Sequence, residues 1–149
     1  MLKENITDKR KERHKISQED FTPKEIVELL YQGSEELFTD FSKTLCDPCA
    51  GIFYIIMYCL EQRLKHCKSE DDIIYAISTL YGTELYEDNV EEGKQNLYNL
   101  IKSIDIKISD TKWIEIENII NHNFICTDTF KWDYENWCPI KENKTIPLF

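Results

Sequence analysis

The sequence predicts a mainly α-helical, compact domain around one buried central helix, with a small β element near the C-terminal end. Three observations lead to this prediction: an apolar run after Pro48, apolar residues at helical spacing on both sides of that run, and an alternating pattern that begins only beyond Ser103. A chain of 149 residues is long enough to bury one such core without disulfides or metals.

The N-terminal residues 1–20 are polar and are predicted to form a flexible basic tail, so that residues 21–149 make up a single helical domain. Residues 22–25 (TPKE) have the pattern of a capping box with proline at the first helical position, which predicts a helix start. Gly33 and Ser34 lie inside the apolar stripe that follows, and we expect a bend or a break there.

The central helix is predicted to run from about residue 48 to residue 67. Asp47 is a suitable N-cap, and Pro48 suits the first helical position. The first half of this segment has no polar face, so we expect it to be buried on all sides, with Cys59 as a packing residue. Arg63 and His66, near the polar end, are expected to lie in solvent.

Three further helices are predicted downstream. Ser69 and the acidic residues after it are expected to cap a helix whose apolar stripe reaches Tyr81 and which ends at Gly82. The capping pattern at residues 88–91 starts a second helix, which continues to about Lys102. A third helix is predicted for residues 113–120, although the Ile-Glu-Ile alternation leaves a strand open.

The predicted β element comes from two segments. Isoleucine alternates with polar residues over residues 104–108, which is typical of a half-buried strand. Residues 124–130 are rich in strand-forming residues and are expected to pair with residues 104–108. Residues 130–149 then form an aromatic-rich C-terminal extension.

The net charge of −10 is unevenly distributed, because residues 1–15 carry +3 and the rest of the chain carries −13. An acidic body argues against general nucleic-acid binding, since phosphate contacts require a basic surface; nucleic acid would be contacted only through the tail. The acidic body also fits a basic protein partner. The N-terminus lacks the apolar segment of a signal peptide, and no stretch is long enough to span a bilayer, which predicts an intracellular protein, cytoplasmic or nuclear.

The motifs of the common enzyme classes are missing from the sequence. The four glycines are scattered, so there is no phosphate-binding loop, and there is no nucleophile elbow or paired-histidine zinc motif. A nucleophilic pair of Cys126 and His122 stays open, but no local signature supports it. We therefore expect a protein that is not an enzyme.

A structural zinc site is the sharpest specific alternative. Cys46 and Cys49 form a C-x-x-C pair at a predicted loop-to-helix junction, a common place for half of a zinc site. The other half would come from Cys126 and Cys138, whose spacing is irregular, or from Cys67, His66 or His122. Plain core or loop thiols explain the same cysteines, and no other cofactor is expected.

Protein–protein contact is the function that the sequence favours, as an adaptor, an inhibitor or an accessory subunit of a large assembly. The aromatic C-terminal segment and the basic tail are the predicted contact surfaces, and removal of residues 141–149 is expected to leave the fold intact while weakening partner binding. The predicted contact residues are Trp132, Tyr134, Trp137, Leu148, Phe149, Lys9, Arg10, Lys11 and Arg13.

A hydrophobic central helix surrounded by amphipathic helices resembles the architecture of Bcl-2-like proteins, including compact viral ones. The resemblance implies an all-helical regulator that acts by binding another protein. It covers the order of the predicted helices alone, because the residues that mark the groove of that family are not found in this sequence. No residue role is therefore transferred from the family to this chain.

Overall fold

The computed structural model describes residues 11–13 and 22–141. Helices dominate the described chain, which confirms the mainly helical prediction, but a three-stranded parallel sheet that the sequence analysis did not predict lies among them. A small β element near the C-terminal end is confirmed, but it is a two-stranded antiparallel hairpin that contains neither of the two predicted segments. The helices are α1 (Lys24–Leu30), α2 (Glu36–Thr39), α3 (Tyr54–Leu64), α4 (Glu70–Ser78), α5 (Glu87–Lys102) and α6 (Asp110–Asn123).

The parallel sheet has the strand order β1-β2-β3, with β2 (Leu80–Glu84) between the two edge strands β1 (Leu45–Asp47) and β3 (Phe124–Cys126). Its register pairs Leu45 with Leu80 and Gly82 with Phe124. Helices α3 and α4 connect β1 to β2, and α5 and α6 connect β2 to β3, as parallel pairing requires. After a 3₁₀ turn, the hairpin of β4 (Trp132–Asp133) and β5 (Cys138–Pro139) follows.

Two predictions about the strands were wrong. The stripe that was expected to continue a helix to Tyr81 and Gly82 instead ends with α4 at Ser78, and the next residues form the buried strand β2. Residues 104–108 form no strand but an irregular connection between α5 and α6. Of the 124–130 segment, Phe124–Cys126 is a strand, and it pairs with β2. The isoleucines of residues 104–108 are half-buried against the core, which explains the alternation without a strand.

The central helix is shorter than predicted. It begins at Tyr54 and not near residue 48, because Gly51 and Phe53 adopt left-handed conformations with φ of 55° and 72°. The side chain of Asp47 closes a local turn by accepting a hydrogen bond from the Cys49 N–H at 3.1 Å, so it does not cap the helix. Phe53 is fully buried and lies 5.0 Å from Phe124 ring to ring, and this packing holds its strained backbone in place.

Several helix predictions are confirmed. Ser69 is the predicted N-cap of α4 and forms a capping box with Asp72. Helix α5 ends at Lys102, and α6 contains the whole predicted 113–120 segment. The break at Gly33 separates α1 from α2, and its φ is 82°. Other details differ: Pro23 is the N-cap of α1 with no side-chain cap, and α5 begins at Glu87 without the predicted capping box.

Arg63 is fully buried, contrary to the prediction that it lies in solvent. Its guanidinium donates hydrogen bonds to the carbonyl oxygens of Leu37, Lys43 and Ala76 at 2.7–2.8 Å and to the Thr79 hydroxyl at 2.7 Å. These groups belong to α2, the segment after it, and the end of α4. The side chain therefore joins three parts of the chain to α3, whereas His66 is exposed as predicted.

In the described residues, no helix combines the length and apolar character that crossing a membrane requires. The predicted flexible tail, residues 1–20, lies outside the described residues except for 11–13, which are helical. Residues 142–149 also lie outside them.

Candidate functional site

An apolar groove lies on the outer side of α3, between α1 and α5. Its volume is about 440 Å³, within the range of pockets that hold a ligand or a partner side chain. The floor belongs to α3, one wall to α1 and the residues before it, and the other wall to α5. The lining residues are Thr22, Pro23, Lys24, Val27, Tyr54, Met57, Tyr58, Glu61 and Leu100.

The groove exists because α3 has a second apolar face that the core does not cover. Tyr54, Met57, Tyr58 and Glu61 follow the i, i+3, i+4, i+7 spacing of one helical face and line the groove. The opposite face, with Ile56 and its neighbours, is fully buried. The prediction that the central helix is buried on all sides was therefore wrong, since Tyr54 is 44% exposed.

Tyr31 fixes the wall formed by α1. Its hydroxyl donates a 2.6 Å hydrogen bond to the Ile55 carbonyl of α3, and its ring stacks on Tyr58 at 5.4 Å between centroids. Burial, with the nearby Cys59 and Asp47, raises the pKa of Tyr31 far above its usual value, so the hydroxyl stays protonated and remains a donor. The distance between α1 and α3, and hence the width of the groove, is held by this contact.

The wall formed by α5 is fixed at the start of α3, where the Asn96 amide donates to the Ile52 carbonyl at 3.3 Å. A second depression of about 230 Å³ continues along the same two helices towards Lys65. It shares Glu61 and Leu100 with the main groove. The combined surface therefore follows α3 from Tyr54 to Lys65, which is about 16 Å at the rise of an α-helix.

Charged groups are few in the groove and lie at its borders. In the described residues that line the two depressions, Lys24 and Lys65 are basic and Glu61 is acidic. The remaining lining is mainly aliphatic and aromatic, a surface that binds apolar groups and excludes water.

The predicted aromatic contact residues come together, but their rings contact one another. Trp137 lies 5.4 Å from Trp132, 6.0 Å from Tyr134 and 4.8 Å from Tyr81 of β2, and its indole N–H donates to the His122 carbonyl at 2.7 Å. The Tyr134 hydroxyl also bonds to the hydroxyls of two threonines, Thr83 at 2.8 Å and Thr129. The aromatic cluster therefore packs the hairpin against the parallel sheet. Phe130, which precedes the hairpin, is 88% exposed.

The predicted basic contact residues are only partly described. Lys9 and Arg10 lie outside the described residues, as do Leu148 and Phe149, while Lys11 is exposed. Arg13 contacts the body of the protein, where its guanidinium forms two hydrogen bonds with the Asp88 carboxylate at 3.0 and 3.1 Å.

The structure places the four predicted zinc ligands on separate elements. Cys46 is in β1, Cys49 in the turn after it, Cys126 at the end of β3 and Cys138 in β5, and all four are free thiols. In residues 11–13 and 22–141, no three or more histidine, cysteine or acidic side chains converge in a geometry that would hold a metal ion. Partial burial and the neighbouring Asp47 raise the pKa of the metal-free Cys46 thiol to about 11.

Cys126 and His122 do not form the nucleophilic pair that the sequence left open. The thiol of Cys126 contacts the carbonyl oxygen of Leu85 at 3.5 Å, and Nδ1 of His122 is 2.8 Å from the side-chain oxygen of Asn123. Burial and the acidic side chains around Cys126 raise the pKa of its thiol, which opposes activation as a nucleophile.

The groove itself was missed at the sequence level, because its residues have the same apolar character as core residues. The one available signal was the width of the apolar surface of α3, which is more than one packed face requires.

Comparisons with known proteins give no relative for this chain. No protein-family model, no curated protein and no solved structure matches it. The parallel sheet also departs from the all-helical arrangement that the resemblance to Bcl-2-like proteins implied.

Proposed function

We propose that this protein is a non-enzymatic protein–protein interaction module, and that the groove along α3 binds an amphipathic helix of a partner protein. The observation that carries the proposal is the second apolar face of the central helix, where Tyr54, Met57 and Tyr58 line a groove of about 440 Å³. A contiguous apolar surface on an otherwise charged protein is typical of a site of association.

The walls of the groove favour a helix as the bound element. They are formed by α1, α3 and α5, whose backbone groups are already hydrogen-bonded within each helix. An extended segment placed there would leave its own backbone N–H and C=O groups without partners, whereas a helix satisfies them internally. A partner in extended conformation would instead need a free sheet edge.

The dimensions and the charges define the partner further. A surface of about 16 Å accommodates three turns of a helix, which present apolar residues at i, i+3 or i+4, and i+7. Glu61 lies at the middle of this surface and Lys65 one turn further along α3. We expect a basic residue of the partner opposite Glu61 and an acidic residue opposite Lys65.

Site-specific photo-crosslinking tests the proposal. A benzophenone amino acid replaces Met57 in the groove or, as a control, Asn118 on the exposed side of α6. After irradiation in native cell extract, we expect the Met57 position to label one protein segment with helical apolar spacing, and a Met57→Glu variant to lose that partner while Asn118→Glu retains it. Equal labelling from both positions, or labelling of a lipid or another small molecule at Met57, would overturn the proposal.

A further inference from the structure

Arg13 is held on the start of α5 by two kinds of contact at once. Its guanidinium makes a two-pronged hydrogen bond with Asp88, at 3.1 Å from Nη1 to Oδ1 and at 3.0 Å from Nη2 to Oδ2. The same guanidinium lies over the ring of Tyr86, with its carbon 4.2 Å from the ring centroid. The side chains of Arg13 and Asp88 are 17% and 27% exposed, so their ion pair is partly shielded from water.

This geometry discriminates between basic side chains. A carboxylate that takes two parallel N–H donors matches the planar fork of arginine, and the face of a tyrosine ring adds a cation–π contact. The ammonium group of lysine is a point donor that cannot make the same forked contact. Asp88 and Tyr86 together therefore form a site with the shape and charge of an arginine receptor.

We propose that Tyr86 and Asp88 form a binding site for an arginine of a basic partner segment, and that Arg13 occupies it as a built-in competitor. Arg13 belongs to the basic N-terminal run, and the rest of the chain is strongly acidic, so a second basic segment is attracted to the same surface. Because Arg13 is tethered, it competes at a high effective concentration, and an external arginine binds more weakly than the site alone would allow. The site shares no residue with the groove along α3, so the two proposals stand independently.

The test uses octa-arginine and octa-lysine peptides as probes of equal charge, with affinities measured by fluorescence anisotropy on the full chain. We expect Arg13→Ala to bind octa-arginine about fivefold more tightly than wild type does, and to prefer it over octa-lysine by a similar factor. Asp88→Asn in the Arg13→Ala background should abolish this preference. Glu117→Gln, which removes the same charge from an exposed position on α6, should retain it.

An Arg13→Lys variant tests whether the bidentate contact or the positive charge alone holds residue 13 in the site, because lysine keeps the charge and loses the planar contact. Its affinity for octa-arginine should lie closer to that of Arg13→Ala than to that of wild type. The proposal is overturned if Arg13→Ala and wild type bind octa-arginine equally, or if Asp88→Asn and Glu117→Gln weaken both peptides to the same extent. The second result would mean that net charge alone attracts the peptides.

Discussion

Replacement of Arg63 by methionine is the most informative perturbation of the fold. Arg63 is fully buried, and four of its five N–H donors bond to three carbonyl oxygens and one hydroxyl. Burial lowers the pKa of the guanidinium, but the shift starts from such a high value that the group remains charged. Methionine fills a similar length without donating to any of the four acceptors.

The expected loss in the free energy of unfolding is about 3–5 kcal/mol. Each hydrogen bond from a charged donor contributes about 1.5–3 kcal/mol, and all four are lost. Methionine avoids the desolvation of a buried charge, and that gain of several kcal/mol offsets part of the loss. Since a domain is stable by only about 5–15 kcal/mol, the change removes a large fraction of the total. Arg63→Lys keeps the charge but has three donors for four acceptors, so we expect about half the loss.

Urea denaturation followed by tryptophan fluorescence and circular dichroism measures this loss. With a slope of about 2 kcal/mol per molar urea, the midpoint should fall by about 2 M. Lys65→Met is the matched control, because Lys65 is exposed directly after the end of the same helix, and it should change stability by no more than about 0.5 kcal/mol. A loss below about 1 kcal/mol for Arg63→Met would refute the view that this side chain connects α2 and α4 to α3.

Two further predictions concern close packing and pH. Gly93→Ala would place a methyl carbon 2.5 Å from the ring of Phe53, so we expect a loss of about 1–3 kcal/mol in the same urea assay; a variant as stable as wild type would contradict the packing of α5 on Phe53. Burial raises the pKa of Asp47, which means that the folded state disfavours the charged carboxylate. The free energy of unfolding therefore falls as the pH rises from the ordinary carboxyl pKa through the raised value. Asp47→Asn stays neutral and can still accept the hydrogen bond from Cys49, so its melting temperature should exceed that of wild type at about pH 7 and match it at about pH 3. The exposed Asp105→Asn serves as a charge-matched control, and equal behaviour of the two variants would contradict the assignment to burial.

The helices were predictable because their signals are local. The capping residues at Ser69 and the glycine break at Gly33 act within a few residues of the chain, and the sequence shows both. Strand β2 was missed because its short apolar run directly continues the stripe of α4, and periodicity cannot separate a short strand from the last turn of a helix. Its partners β1 and β3 lie far away in the sequence, so no local pattern reports the parallel pairing.

The environment of Arg63 and the groove depend on tertiary contacts. An arginine near the polar end of a helix looks solvated unless the segment that supplies its acceptors is known, and two of those acceptors, Leu37 and Lys43, lie 26 and 20 residues earlier in the chain. Met57 and Tyr58 read as core residues because their apolar character is the same on a packed face as on an uncovered one. In both cases the neighbours of a residue decide its role.

The central claim, that the groove along α3 binds an amphipathic helix, is tested most directly by methionine-methyl NMR. The chain has two methionines, Met57 in the groove and Met1, so the spectrum of a Met57→Leu variant assigns the Met57 signal. The crosslinked partner segment is added as a synthetic peptide, and its circular dichroism is followed in parallel. The account predicts a saturable shift of the Met57 methyl signal and a gain of helix in the peptide. Binding of the peptide with an unmoved Met57 signal, or without helix formation, would contradict it.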